Sequence, residues 1–158
     1  MPKLKVLFSF TIPMKLILDQ TSLANDFFDT TRLLGIMAPI KNYIFCWQLN
    51  NTIGTKFRLN NELEIKLKKK NKRDYYFDVY EWTEPESALT HYIYRNQFDG
   101  EYLLPEFRNM DFLWLMKGDL VDAEKCNFIK SAIKNIVSVQ LVAEITNEKI
   151  KHKENLIF

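Results

Sequence analysis

The sequence predicts an α+β fold in which an antiparallel sheet of roughly six to seven strands is covered by one long helix. Short apolar or alternating segments recur along the chain, and one segment after residue 122 has helical periodicity. No Pro-, Gly- or Ser-rich linker divides these segments. A chain of 158 residues with 47% hydrophobic side chains is large enough to bury one core. We therefore expect an N-terminal extension or extra strand over residues 1–13 and a single domain over residues 14–158.

The N-terminal residues do not fit a secretion signal. Two lysines precede a short apolar run, but Thr11 and Pro13 interrupt that run and Lys15 follows it. A signal peptide needs a longer apolar segment and a cleavage site. Met14 is an alternative start, because the residues after it already fit a first strand. A short N-terminal helix is then expected from Ser22 to Asp29, with Ser22 as its N-cap.

Strand patterns dominate the middle of the chain. Thr31–Met37 and Asn42–Leu49 are predicted to form a hairpin, with Tyr43–Trp47 as a central strand because it is apolar on both faces. Residues 62–68 alternate apolar and charged side chains, which indicates a half-buried strand. Further strands are expected at Asp74–Trp82, Leu89–Asn96 and Asp111–Lys117, and Asp99-Gly100 predicts a tight hairpin turn.

The long helix is predicted at about residues 122–136. Cys126, Ile129 and Ile133 follow helical spacing, whereas lysines occupy the opposite side. The Asp122 carboxylate is expected to cap the first turn. After the helix, period-two alternation predicts a strand over Val137–Leu141, and one or two helical turns are expected over residues 146–152.

Composition restricts the classes of function. The formal net charge is +2, from 22 basic and 20 acidic residues, which argues against a surface built as a whole for nucleic acid. Cys46 and Cys126 both lie in apolar surroundings, which indicates buried thiols in a reducing compartment and a cytoplasmic location. No apolar stretch approaches the length of a membrane span, so no membrane association is expected.

Residues 104–112 read Leu-Pro-Glu-Phe-Arg-Asn-Met-Asp-Phe. They resemble the signature of the IPExxxVDY family of small bacterial proteins: Pro105, Glu106 and Asp111 match it unchanged, and Phe112 stands where the signature has Tyr. Residues 33–36, 42–50 and 151–158 resemble other family stretches in the same order, so that the resemblance covers the chain from about residue 14 to the end. It implies a single cytoplasmic domain without a cofactor and implies no particular activity. Because Phe112 lacks a hydroxyl, tyrosine-based chemistry is not expected at that position.

Two carboxylates in this signature are candidates for acid–base catalysis. Glu106 and Asp111 could divide the two roles if a turn brought them together and their pKa values differed. The alternative is structural, with Pro105-Glu106 forming a turn and Asp111 accepting backbone N–H groups at the start of a strand. Asn50 and Asn96 are likewise expected to end strands and to bind turn backbone.

A basic segment is the most conspicuous polar feature. It spans residues 66–73, includes Lys68, Lys69, Lys70, Lys72 and Arg73, and precedes aromatic residues, as in some nucleic-acid sites. A solvated loop that protects a sheet edge from pairing explains the same residues.

Three functions stay open at this point. The preferred hypothesis is a non-enzymatic binding or adaptor domain, with a protein partner or a second copy of the chain, because surplus aromatic surface marks such contacts. On this view the apolar end, residues 156–158, docks on the sheet edge or on another chain. The alternatives are a nucleic-acid-associated protein and an enzyme. No metal site is expected from His91 and His152, which lie far apart in the sequence, and no cofactor motif is present.

Overall fold

A computed structural model describes residues 29–70, 73–119 and 121–156. These residues form a six-stranded antiparallel sheet, a separate two-stranded ribbon and two α-helices, which confirms the α+β class. The elements are β1 (Thr31–Met37), α1 (Asn42–Thr52), β2 (Arg58–Lys68), β3 (Asp74–Thr83), β4 (Thr90–Arg95), β5 (Gln97–Phe98), β6 (Glu101–Tyr102), β7 (Phe112–Lys117), α2 (Ala123–Lys134) and β8 (Leu141–Ile145).

The strand order in the sheet is β2-β3-β4-β7-β1-β8, so β7 lies inside and β2 and β8 form the edges of the described sheet. Five of the six residues of β7 are buried, as expected for a strand packed on both faces. In β2 the alternation is confirmed, because Ile65 is buried and Leu63 and Leu67 pack against the same cluster. The Asp99-Gly100 hairpin is also confirmed: both residues have positive φ, as the tight turn between β5 and β6 requires.

The predicted strand over Asn42–Leu49 is wrong, and with it the predicted hairpin. This segment is the helix α1, in which Phe45, Cys46 and Leu49 are buried. Its many aromatic and β-branched residues favour a strand locally, but tertiary packing overrides that preference. Phe45 stacks on Phe112 of β7 with ring centroids 4.4 Å apart.

The second helix agrees with its prediction at the N-terminus. The Asp122 carboxylate accepts a hydrogen bond from the Lys125 backbone N–H at 2.8 Å, which caps the first turn. The predicted strand Val137–Leu141 is largely wrong, because residues 137–138 lie in a turn, residues 139–140 have no regular secondary structure and β8 begins only at Leu141. Val137 is fully exposed. Two short 3-10 helices, Asn147–Lys149 and Lys153–Leu156, follow β8.

Buried side chains divide into two clusters. The first joins residues of α1 and α2 to sheet residues such as Trp114 and Ile93. The second joins the alternate sheet residues, such as Leu113 and Tyr94, to residues of the irregular segments after β6 and β8. Leu156 is fully buried in this second cluster, so this part of the apolar C-terminus docks within its own chain.

Some expectations fall outside the described residues. They are the extension 1–13 and the short helix Ser22–Asp29, of which only Asp29 is described. Both cysteines are buried, and neither forms a disulfide. Among the described residues no helix has the length and apolar character that crossing a membrane would require.

The contributions of a buried and an exposed aromatic residue of α1 to stability can be compared by substitution. Phe45→Ala is expected to lower the free energy of unfolding by roughly 3–5 kcal/mol, because it removes a fully buried ring. Tyr43→Ala should change it by less than about 0.5 kcal/mol, because that ring is mostly exposed. Urea unfolding followed by circular dichroism measures both. Equal losses would contradict the helix, since in a strand the two residues would share a face.

Candidate functional site

The signature-like segment lies between β6 and β7. Pro105 begins a short 3-10 helix, Pro105–Phe107, and the flanking Leu104 and Met110 are buried in the second cluster. Phe112 is the first residue of β7, and its ring packs against Phe45 rather than facing solvent. The apolar positions of the segment therefore hold it against the sheet.

A buried asparagine organises this segment. Asn96 is fully buried after β4, and its side-chain Nδ2 donates to the carbonyl oxygens of Phe107 at 2.8 Å and Met110 at 3.1 Å. Its Oδ1 accepts from the Leu104 N–H at 2.8 Å. Asn96 follows a strand as predicted, but its side chain bonds to the backbone of the loop between β6 and β7, at positions 8, 11 and 14 residues later in the sequence. The amide thus pairs the Leu104 N–H and the Met110 carbonyl, and it adds a second hydrogen bond to the Phe107 carbonyl, which also accepts from the Met110 N–H.

Glu106 attaches the C-terminal segment. Its Oε1 accepts from the backbone N–H groups of Lys151 at 2.7 Å and His152 at 3.1 Å, and its Oε2 lies 2.8 Å from His152 Nδ1. Burial raises the pKa of Glu106, but hydrogen bonds from its own backbone, from His152 and from Lys151 outweigh burial and lower this pKa overall.

Asp111 binds a different segment. Its Oδ2 accepts from the N–H of Ala38, the residue that follows β1, at 2.8 Å. Its backbone N–H donates to the carbonyl oxygen of Ile36, which lies within β1. The two carboxylates therefore bond to separate stretches of backbone and have no hydrogen-bond partner in common. This geometry matches the structural alternative for both residues.

Asn50 lies within α1 and does not end a strand. Its Nδ2 donates to Phe57 O at 3.1 Å, and its Oδ1 accepts from Thr55 Oγ1 and from the Phe57 N–H. These three bonds fix the chain between α1 and β2. The backbone-binding role expected for Asn50 is present, although its position in the fold was predicted wrongly.

The basic segment forms the end of the β2–β3 hairpin. Lys69 pairs with Glu101 at 3.3 Å, Arg73 pairs with Asp99, and Lys66 pairs with Asp74 at 3.1 Å. The Arg73 guanidinium also lies 5.2 Å from the Tyr75 ring centroid. Lys68 and Lys70 are exposed, and Lys72 lies outside the described residues. Local acidic side chains therefore offset part of the positive charge on this hairpin.

A series of hydrogen-bonded polar side chains, which was not predicted from the sequence, runs through the first cluster. We call it the polar chain. The Trp114 indole Nε1–H donates to His91 Nδ1 at 3.0 Å, and His91 Nε2 lies 2.9 Å from Glu84 Oε1. Because an indole can only donate, Nδ1 must be the acceptor and Nε2 carries the proton. His91 is fully buried and stacks on Trp82 at 4.8 Å. Burial lowers the pKa of His91 and keeps the imidazole neutral.

Glu84 links this chain to α2. Its Oε1 also lies 2.8 Å from Lys125 Nζ, and its Oε2 accepts from Ser87 Oγ at 2.6 Å. Burial raises the pKa of Glu84, but the hydrogen bonds from Lys125, Ser87 and His91 outweigh it and lower the pKa to about 2. The carboxylate is therefore ionised at neutral pH.

A cavity of about 290 Å³ lies between the sheet and α2 at this ion pair. Its lining is mostly apolar and comprises Ile53, Thr55, Trp82, Glu84, Trp114, Lys125, Phe128, Ile129 and Ala132. A wider groove of about 760 Å³ shares Trp82 but is lined mainly by polar residues of β2 and of the loop before it.

The outward side of α1 is a second notable surface. We define the α1 outer face as Tyr43, Ile44, Trp47 and Asn51, all of which are exposed; Tyr43 is 57% and Trp47 64% exposed. No charged residue occurs from Asn42 to Thr55. The adjacent Gln48 accepts a hydrogen bond from Ser138, which places the turn carrying the exposed Val137 beside α1.

The described residues contain no group of three or more His, Cys, Asp or Glu side chains arranged to hold a metal ion. Burial raises the pKa of the Cys46 thiol, and it raises that of Cys126 to about 11. Both thiols are therefore poor nucleophiles near neutral pH. Comparison of the chain with protein-family models and with curated proteins found no match.

The sequence contains only a weak signal for the polar chain. Trp82, His91 and Trp114 come from three different strands, and only strand pairing places Trp82 beside His91 and Trp114 diagonally across from it. The α1 outer face was missed for another reason, since its aromatic residues were assigned to a buried strand.

The buried amide of Asn96 can be tested with a matched pair of substitutions. Asn96→Asp is expected to lower the free energy of unfolding by roughly 3 kcal/mol or more, because a carboxylate would face the carbonyls of Phe107 and Met110. Asn109→Asp makes the same change at an exposed position in the same segment and should cost less than about 0.5 kcal/mol. Urea unfolding measures both, and similar values would contradict the role given to Asn96.

His91 predicts a pH dependence of stability. The folded-state pKa of His91 lies below the ordinary value of 6.5 that applies to the unfolded chain. At pH values between these two pKa values, the unfolded chain therefore binds more protons than the folded chain. The free energy of unfolding should be at its full value above pH 6.5 and fall as the pH is lowered below it. The lowered pKa values of Glu84 and Glu106 act only below about pH 4.5, so the interval from 4.5 to 6.5 isolates the histidine. His91→Gln should remove this slope in urea-unfolding measurements, and a slope that persists would contradict the assignment.

Proposed function

We propose that the chain is a non-enzymatic protein–protein interaction domain whose contact surface is the α1 outer face, and that the partner seated there is a second copy of the chain. The observation that carries the proposal is an exposed, aromatic and charge-free helix face. Solvent-facing helix surfaces normally carry charged residues. Interface centres are instead poor in charge and rich in Trp and Tyr.

The size of the exposed aromatic surface fits the anchor of an interface. Tyr and Trp side chains bury roughly 150–250 Å² each when covered, so the exposed parts of Tyr43 and Trp47 supply on the order of 200–300 Å². A stable interface needs about 800 Å² from each partner. Residues around the two rings, including Ile44 and Val137, would supply much of the rest. Trp and Tyr are also the residue types that contribute most energy to interfaces.

The absence of charge favours a second copy as the partner. In a two-fold dimer the same surface meets itself, and any charge on it would face a like charge near the axis. The four residues of the α1 outer face carry none, and a nearby charge is the Lys41 ammonium, 6.0 Å from the Tyr43 ring centroid at the N-terminal end of the face. The buried Leu156 supports α1 rather than the C-terminus as the contact, because Leu156 already packs within its own chain.

The other two hypotheses have less support. A nucleic-acid site would use the basic hairpin, but Lys66, Lys69 and Arg73 are paired with acidic residues. An enzyme based on Glu106 and Asp111 would need both carboxylates at one reacting centre, and each is bonded to a different stretch of backbone. Membership in the IPExxxVDY family and a location in the bacterial cytoplasm are part of this proposal.

The proposal predicts a concentration-dependent dimer. Light scattering coupled to gel filtration, from about 1 µM to about 1 mM protein, should show a rise from one to two monomer masses. Trp47→Glu should weaken the dimer by about 30-fold or more, because hot-spot residues contribute 2 kcal/mol or more.

Phe128→Glu is the matched control, since it introduces the same charge at an exposed aromatic residue on α2. It should leave the dimer intact. A monomeric mass at every concentration would overturn the proposal, as would equal weakening by both substitutions.

A further inference from the structure

The cavity between the sheet and α2 lies outside the proposed dimer contact. Its volume of about 290 Å³ is near the lower end of the roughly 300–1,000 Å³ typical of small-molecule pockets. Two indoles and a phenyl ring line it, and an ion pair lies at its wall. Ligand pockets combine these features, namely apolar walls and a few converging polar groups.

We propose that this cavity binds a small, uncharged aromatic molecule that carries a carbonyl group. The partly exposed ring of Trp82 offers a surface against which a flat ligand can pack, and the fully buried Trp114 contributes to the wall of the cavity. Phe128 is 71% exposed and also lines the cavity, so a ligand in contact with it would cover an apolar ring that otherwise faces water.

The polar atoms that line the cavity determine which hydrogen-bonding groups a ligand needs. Both oxygens of Glu84 already have partners: Oε1 pairs with His91 and Lys125, and Oε2 accepts from Ser87. The Lys125 ammonium has three N–H donors, and its ion pair with Glu84 uses one of them. The cavity therefore presents hydrogen-bond donors to a ligand, and an acceptor such as a carbonyl oxygen fits it.

The charge balance favours an uncharged acceptor. Glu84 already neutralises Lys125 at 2.8 Å, so an anionic ligand would gain attraction from the ammonium but meet repulsion from the carboxylate. A cationic ligand would face the ammonium itself. A carbonyl group accepts a hydrogen bond without adding net charge to this partly buried pair.

The walls are fixed before a ligand enters. Trp114 is held by its hydrogen bond to His91, Trp82 stacks on the same imidazole, and Phe57 packs edge-on against both indoles. A preformed wall lowers the entropic cost of binding, because few side chains must be ordered.

Three probes with one ring system test the proposal: indole-3-acetamide, indole-3-acetate and tryptamine. The chain has three tryptophans, so a ¹H–¹⁵N spectrum shows three indole N–H signals, which Trp→Phe substitutions assign. Indole-3-acetamide should shift the Trp82 and Trp114 signals and leave that of Trp47 in place. It should bind about tenfold more tightly than either charged probe, and Lys125→Met should remove about that factor.

Ala132→Leu places a larger side chain in the cavity and should abolish the shifts. Ser131→Leu makes a comparable change at an exposed neighbouring position on α2 and should preserve them. Unaltered thermal midpoints would show that both variants are folded. The absence of shifts in the unmodified protein, or shifts that survive Ala132→Leu, would overturn the site. Equal binding of the three probes would overturn the ligand class.

Discussion

The hydrogen bonds of the Asn96 side-chain amide are the interactions on which the segment between β6 and β7 depends. The amide bonds to backbone groups of Leu104, Phe107 and Met110 in this segment, which has only one short helical turn of its own. An irregular segment packed against a sheet would otherwise bury unpaired polar groups, at a cost of about 1–3 kcal/mol each. Because this segment carries Glu106, the same amide indirectly positions the C-terminal residues that Glu106 binds.

The two clusters of buried side chains are completed by different means. In the first, α1 and α2 satisfy their own backbone and contribute apolar side chains such as Phe45 and Ile133. In the second, the irregular segments rely on side-chain carboxylates and amides for their backbone hydrogen bonds. Glu106 and Asp111 are well suited to this work, because an ionised carboxylate accepts several N–H bonds. Folding requirements thus account for both carboxylates in this segment.

Both surfaces proposed for binding involve the helices: one is the outer face of α1, and the other is the cavity lined in part by α2. The α1 outer face is exposed because the buried residues of α1 occupy its opposite side, and the aromatic residues in excess of the core are left facing solvent. The cavity is lined by residues of α2 and of the sheet and lies beside the Glu84–Lys125 pair. The neutral His91 between Trp114 and Glu84 holds this region together and also makes its stability sensitive to pH.

Local patterns in the sequence determined the fold class, most strands and the start of α2. Alternation in β2 and the capping carboxylate of Asp122 are interactions between neighbours, so a short window of sequence contains them. The conformation of residues 42–52 was decided by tertiary structure, because their side chains suit a strand as well as a helix and only packing against β7 selects the helix. The partners of Asn96, Glu106, Asp111 and His91 were likewise beyond the sequence, since each lies on an element that only the folded sheet brings within hydrogen-bonding distance.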